Sequence, residues 1–309
     1  MKPKYRIRNW SEYNAGLKQR GSLSFWIEES ILEQWVVEEL SGKPGASVLY
    51  SDIAIQTMAT IKAVYRLPGR QCQGFLESIF EAMGIYLPVP DHSTLSRRLG
   101  KLSIQLPVLP KDGVRHVVVD STGVKVYGEG EWKTRQHGVN KRRTWRKLHL
   151  GVDEATGEIL GAVATTNDFH DGEVLKDVLE AIPEPIGQVS TDGAYDHRHC
   201  YDEIAAKGAK AVIPPRKDAV IWQEGKDTPH PRDENLRSIR QYGRKRWKRD
   251  SGYHRRSIAE TTMFRFKTIF GGNLSTRKFD NQAVELFIKC AALNRMIQIA
   301  KPDSYKVEV

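Results

Sequence analysis

The chain has 309 residues, 39% of them hydrophobic and 28% charged, with a formal charge of +10. That length can bury a full core and divide into two domains, and the basic balance asks for an anionic partner. No apolar run approaches the roughly 20 residues that cross a bilayer, and Met1-Lys-Pro-Lys-Tyr5 has no apolar signal core, so a cytoplasmic protein without a membrane partner is expected.

In the amino-terminal third, Phe25, Ile27, Ile31, Leu32, Trp35 and Val36 recur at helical spacing, and the pattern predicts a helix from Phe25 to about Leu40. Ser51 or Asp52 caps a second helix through Tyr65, and Pro68-Gly69 separates it from a third that carries Phe75, Leu76, Ile79, Phe80 and Met83. A short fourth helix begins near Pro90-Asp91 and bears Arg97 and Arg98, with Leu95 and Leu99 four apart to hold it down. Three packed helices ending in a polar, arginine-bearing one can read a major groove in the helix-turn-helix manner, though short polar helices also close bundles that touch no DNA. Residues 1–110 are therefore expected to form an all-helical, helix-turn-helix-like DNA-binding region.

Beyond Pro107 to Gly113 the pattern turns from helical to strand-like, marking a second domain over 111–300 with 301–309 as a tail. Strands are predicted over 114–127, 147–152 and 159–166, with Asp153 in the hairpin turn between the last two. A helix over 172–182, a strand over 188–191, a helix over 197–207 and a strand over 210–214 follow. Residues 215–252 are polar and read as an insertion. Its segment Arg237 to Arg249 holds seven basic residues and no acidic one, a solvated face or a phosphate-tracking one, and Trp222 or Trp247 could stack on a base. Asn281 to Ile299 is helical and expected to pack on the sheet. Cys72, Cys200 and Cys290 lie far apart, without the close second ligand of a zinc site, and are expected to be reduced packing residues.

Two aspartates end strand-like runs, Asp120 in His116-Val-Val-Val-Asp120 and Asp192 in Gln188-Val-Ser-Thr-Asp192. Either alone reads as a turn starter capping nearby N–H groups. Downstream, residues 253–267 read as a helix without proline or glycine, in which Tyr253, Arg256, Glu260 and Lys267 share an arc of about 60°. Arg256 and Glu260, four apart, could form only an exposed ion pair. Two carboxylates from adjacent strands and a third from a helix on the sheet would instead make an all-oxygen site suited to Mg²⁺ or Mn²⁺. Asp168 and Asp171 are rivals that could cap the following helix or help shape the site, and Asp196 is expected to cap the helix after it.

The spacing Tyr253-x2-Arg256-x3-Glu260-x6-Lys267, downstream of Asp120 and the Asp192-Gly-Ala-Tyr-Asp196 box, resembles the signature of DDE transposases of the insertion-sequence-four and insertion-sequence-five groups. Asn9-Trp10-x2-Tyr13-x3-Leu17-x2-Arg20-Gly21-Ser22 and the basic hairpin Lys141 to Lys147, with Arg142 and Arg143, look like the latter group. The resemblance implies an α/β, ribonuclease-H-like mixed sheet with covering helices, with Asp120, Asp192 and Glu260 holding two Mg²⁺ or Mn²⁺ ions. It also implies a nucleoid-associated transposase, a homodimer in its DNA complex, that binds terminal inverted repeats, cleaves at the element ends and joins the 3′ hydroxyls to target DNA. DNA contacts are expected from Arg97, Arg98, Arg142, Arg143, Tyr253, Arg256 and Lys267. The alternatives are a nuclease of the same fold without strand transfer and a catalytically silent DNA-binding protein. A tyrosine or serine recombinase would need Tyr253 or Ser121 as nucleophile, and neither has the required arginine and histidine setting.

Overall fold

Trp26 and Trp35 are both sealed from solvent, at 1% and 0% exposure, yet nine residues of continuous α-helix would set them about 180° apart. The chain resolves this by breaking. In the computed structural model, which describes residues 4–38, 49–126, 145–223 and 230–307, the single helix expected from Phe25 is replaced by two short ones. These are α2 (Leu23–Trp26) and α3 (Glu29–Glu33), with Ile27 and Glu28 extended between them. The indole Nε1 atoms donate to the Arg20 and Pro88 carbonyls, so both rings are buried with their polar tips satisfied.

The chain forms two compact units, residues 1–107 with 276–309, and residues 108–275. The first opens with β1 (Lys4–Ile7) and α1 (Trp10–Gln19), which precede α2 and α3. Then come α4 (Asp52–Val64), capped by Ser51, α5 (Gly69–Ala82) and α6 (His92–Arg98), capped by Asp91 through the Ser93 and Thr94 N–H groups. Residues 65–68 join α4 to α5, whereas α5 and α6 are separated by residues 83–91, longer than the tight turn of a helix-turn-helix pair.

The second unit is built on a mixed sheet. Its strands are β2 (Arg115–Val126), β3 (Trp145–Asp153), β4 (Ile159–Thr166), β5 (Ile186–Ser190) and β6 (Lys210–Val212). They lie in the order β4-β3-β2-β5-β6, antiparallel from β4 to β2 and parallel from β2 to β6. α7 (Leu175–Glu180) follows β4 and α8 (Arg198–Ala206) follows β5, which gives the α/β class and the strand and helix order expected of a ribonuclease-H-like sheet. Val117, Val119 and Val189 pack with residues of α7 and α8 in one apolar cluster. Alternation along β2 then points Val118 and Asp120 to the opposite face. Gly151 and Gly161 pair across β3 and β4, and a Cβ on Gly161 would lie 2.9 Å from the Val178 carbonyl oxygen, so these glycines let α7 settle closely on the sheet.

After β6 the expected insertion forms α9 (Pro231–Tyr242) and α10 (Arg244–Asp250). The signature segment is not one uniform helix. Tyr253–Arg256 is a 3₁₀ turn, and α11 runs from Ser257 to Phe270. A short β7 (Asn273–Leu274), absent from the sequence reading, pairs parallel with the end of β2.

The chain then returns to the first unit through α12 (Phe279–Ile299) and β8 (Ser304–Val307), which pairs antiparallel with β1. This corrects three expectations. The sheet-bearing unit ends at residue 275 and α12 belongs to the first unit, that unit is not all-helical, and residues 304–307 are a strand. The reason lies in α12 itself, whose buried residues Val284, Leu286, Ile288, Leu293 and Ile297 leave no wide polar face. Such a helix is the centre of a bundle. Its polar groups are answered within the first unit: Lys289 pairs with Glu285 at 2.8 Å, and the Asn281 and Asn294 amides donate to the Ser96 and Pro107 carbonyls.

Candidate active site

Parallel pairing of β2 with β5 sets Val118 opposite Ser190. Asp120 lies two residues past the first, inside β2 and paired with Leu150 and not at a strand end as expected, and Asp192 lies two past the second, just beyond the end of β5, so the two aspartates stand abreast at the carboxyl end of β5. Each also caps a nearby backbone N–H. Asp120 Oδ1 accepts from the Ser121 N–H at 2.8 Å, and Asp192 Oδ1 accepts from the Ala194 N–H at 2.9 Å. The turn-capping and site readings are therefore compatible, because one oxygen fixes each carboxylate to the backbone.

α11 packs over β2 and β3, on the face that carries Asp120. Arg256, at the junction between the 3₁₀ turn and α11, spans the site. Its Nη1 lies 3.3 Å from Asp120 Oδ2 and its Nη2 2.7 Å from Glu260 Oε1. The expected ion pair between Arg256 and Glu260 thus exists and is part of the site. Burial first, then the charges of Asp192 and Glu260, push the Asp120 carboxyl above the ordinary carboxylate range against the pull of the Ser121 N–H and Arg256. Asp120 therefore feels the charges of both Asp192 and Glu260.

The three carboxylates are hard oxygen donors of the kind that hold Mg²⁺ or Mn²⁺. Among the described residues, however, no three acidic, histidine or cysteine side chains are gathered closely enough to hold an ion as they stand. The donor chemistry fits a divalent ion, and one guanidinium bridges two of the three carboxylates.

Behind Asp120 lies a network that the sequence reading did not resolve. Asp171 Oδ1 accepts from Ser121 Oγ at 2.9 Å and from Lys147 Nζ at 3.1 Å, and sits 3.8 Å from the Nδ1 of buried His149. Asp171 begins a 3₁₀ turn whose cap is His170, so it is not the expected helix cap. Its bond from Ser121 Oγ makes it a support of the strand bearing Asp120, the other role expected of it. Asp168 lies before that turn with no part in this network. His149 and Ser121 face each other across β3 and β2, a pairing readable only once the register is known.

Asp196 is also corrected. It is buried and accepts from Arg232 Nε at 2.7 Å, from the Arg216 backbone N–H at 3.0 Å and from the Tyr201 hydroxyl at 3.3 Å. It joins the Asp192 box to α9 and caps no helix. Trp222 packs beneath the Arg232 guanidinium at 3.9 Å and against Tyr201 and His230, and Trp247 is buried on Val212 and Tyr253 with its Nε1 donating to Asn235. Neither indole is an open platform for a base. Both pin the 215–252 segment to the sheet.

Of the expected DNA contacts, Arg97 is exposed, with its guanidinium donating to Thr94 Oγ1 at 3.0 Å. Arg98 turns back onto Asp52 and the Tyr50 carbonyl. Tyr253 is largely buried, its ring 5.5 Å from that of Trp247, so the aromatic member of the signature is a packing residue. Lys267 is half-buried on α11. Arg142 and Arg143 lie outside the described residues. The cysteines are buried and free, and burial pushes the Cys72 thiol up to about 11 and that of Cys200 to about 12, which makes both poor nucleophiles.

Residues 112–295 match the family model of a transposase DDE domain, and residues 18–129 match a second model with the same description. The chain belongs to the DDE transposases, metal-dependent enzymes of DNA transposition. Among solved structures it is similar to piggyBac transposase in a synaptic complex with hairpin DNA, at 10% identity over 95% of this chain and 77% of that one, with a TM-score of 0.39. It is also similar to the Drosophila P element transposase in a strand transfer complex, at 11% identity over 91% and 86% with a TM-score of 0.31. A third is Mos1 transposase in a paired-end complex with the left transposon end, at 11% identity over 73% and 82% with a TM-score of 0.23. At these scores the likenesses carry no structural weight, and membership rests on the family models.

Proposed function

We propose that this chain is an insertion-sequence transposase of the insertion-sequence-five or insertion-sequence-four type that binds the terminal inverted repeats of its element. It would cleave at the ends and transfer the 3′ hydroxyls to target DNA in the cytoplasm, at the nucleoid. The observation that carries the reading is the convergence of Asp120 and Asp192, abreast on parallel strands, with Glu260 tied to Asp120 through Arg256. Asp120, Asp192 and Glu260 would hold two Mg²⁺ or Mn²⁺ ions. When bound, such ions lower the pKa of an attacking water or hydroxyl and stabilise the leaving oxygen.

The chain's own residues set the geometry. The Ser121 and Ala194 N–H groups orient the two aspartates, and the Asp171, Lys147 and Ser121 network stiffens β2 beside Asp120. Lys267 is seven residues beyond Glu260, about 10 Å along α11, too far to share an ion but placed to meet a phosphate of DNA crossing the site. Arg256 and Lys267 are proposed as phosphate contacts, and Arg142 and Arg143 extend the same proposal into the hairpin.

End recognition is assigned to the helical first unit, with Arg97 of α6 the better candidate because Arg98 is engaged by Asp52. A homodimer pairing two ends completes the proposal. The test is to incubate the protein and Mg²⁺ with a linear DNA bearing the inverted repeats and a plasmid target. Joined product supports the reading, cut ends without joining favour the nuclease alternative, and neither product favours a silent DNA-binding protein.

A further inference from the structure

Arg256 occupies an unusual place for a phosphate contact. Its guanidinium lies between two of the carboxylates assigned to metal, reaching Asp120 Oδ2 with one nitrogen and Glu260 Oε1 with the other. Asp120 Oδ1 already accepts from the Ser121 N–H, and Oδ2, the oxygen turned to the charged cluster, is met by the Arg256 guanidinium. The guanidinium is one positive charge among three carboxylates, of which Asp120 has only 19% of its side chain exposed. A cluster of that sign in a half-buried setting would spread or take up protons without a cation. Beside it stands the Tyr253 ring, with the Arg256 guanidinium carbon 5.8 Å from its centroid. Tyr253 packs on Trp247 and its ring is also met by Lys248 Nζ, 5.3 Å from the centroid, so Arg256 is already within cation–π reach of a ring fixed in place.

We infer that Arg256 is the internal counter-cation of the metal-free site, competing with divalent ions for Asp120 and Glu260 and withdrawing from both when they load. The bridging position supports this, since one guanidinium meets oxygens of both carboxylates, at 3.3 Å on Asp120 and 2.7 Å on Glu260. Two cations cannot share the same carboxylate oxygen at contact distance without strong mutual repulsion, so metal loading and withdrawal of Arg256 are linked. The consequence is a coupling between metal and DNA. Arg256 becomes available to a phosphate only once its place has been taken, which disfavours tight gripping of DNA before the site is charged.

This inference rests on the assignment of Asp120 and Glu260 to metal, and the experiment separates the two. Mn²⁺ is titrated calorimetrically, without DNA, into the full-length wild type, Arg256→Gln and Asp120→Asn, and the shift of the thermal midpoint by Mn²⁺ is measured for each. Removing the competitor should tighten Mn²⁺ binding by at least about fivefold in Arg256→Gln and enlarge its midpoint shift, while Asp120→Asn should lose most binding. Weakened binding in Asp120→Asn together with unchanged or weaker binding in Arg256→Gln overturns the counter-cation role and leaves the site assignment standing. Wild-type binding by Asp120→Asn overturns the assignment and the inference together. Should Arg256→Gln fail to fold without metal, Mn²⁺ should restore its folding, and failure to do so counts against the proposal.

Discussion

Asp120 shows how one side chain takes two roles without conflict, since its Oδ1 is fixed by the Ser121 N–H and its Oδ2 faces the charged cluster. Asp120→Asn, Asp192→Asn and Glu260→Gln each remove a charge and little volume. Each should lower end cleavage by about a hundredfold or more in a Mg²⁺-dependent assay while keeping inverted-repeat binding in a gel shift. Lys267→Ala should also weaken cleavage, but with unchanged metal affinity by calorimetry, and raised Mg²⁺ should not restore it. His149 makes a different prediction. Burial lowers its pKa to about 4, with Asp171 opposing the shift and Lys147 adding to it. The unfolded chain therefore takes up the proton first as pH falls. Stability should drop between about pH 6.5 and pH 4, by at most about 3 kcal/mol, and change no further from this group at lower pH. Thermal midpoints at pH 7 and pH 5 should differ less in His149→Gln than in the wild type. The candidate carboxylates Asp120, Asp192 and Glu260 were legible in the sequence because an aspartate closing a strand-like run and a helical stripe are local patterns. Asp171, Ser121, Lys147 and His149 were not, because their meeting depends on the register between β2 and β3.

Among the elements, the 215–252 segment was read as a basic appendage, and its charge hid its packing. Arg232 has a basic side chain yet is buried against Asp196 and Trp222, while α10 inserts Trp247 between Val212 and Tyr253. A basic run suggests solvent because arginine and lysine usually lie there, and nothing in sequence spacing alone matches Arg232 with an aspartate on the far side of β6. Arg232→Ala would leave Asp196 buried without its ionic partner and should cost about 3–5 kcal/mol. A lowered thermal midpoint with faster proteolysis between residues 215 and 252 would show it. The contact of α7 with the sheet is tested by Gly161→Ala, which has to displace the Val178 backbone or strain β4. About 1–3 kcal/mol is expected, read from the denaturant midpoint. The strands β2 to β6 were readable because valine-rich alternation and turn residues coincide there. The signature helix was readable in position but not in its first turn, where Gly252 in a left-handed conformation starts the 3₁₀ segment.

At the scale of the whole molecule, the first unit is discontinuous and the second is not. The sequence did not disclose this, because the helical pattern of α12 is the same whether the helix covers a sheet or fills a bundle. A fragment of residues 1–107 should therefore lack stable tertiary structure, and co-expression with residues 276–309 should restore it, as judged by amide exchange at α4. Residues 108–275 should fold alone, with the near-ultraviolet signal of a packed Trp247. If the short amino-terminal fragment is instead cooperative and stable, α12 is not the centre of its core.

The division also sets an order in time. During synthesis, α4 leaves the ribosome long before α12, a helix it packs against, which is made only after the whole of the second unit. At about 5–20 residues per second, that interval is on the order of ten seconds or more. The sheet can close while the chain is still attached. The amino-terminal helices have to wait for residues 279–299 to emerge, with the side of α4 that meets α12 open to chaperones and to other nascent copies throughout. Ribosomes that stop shortly before α12 would release a chain whose catalytic sheet is complete and whose first unit never assembles.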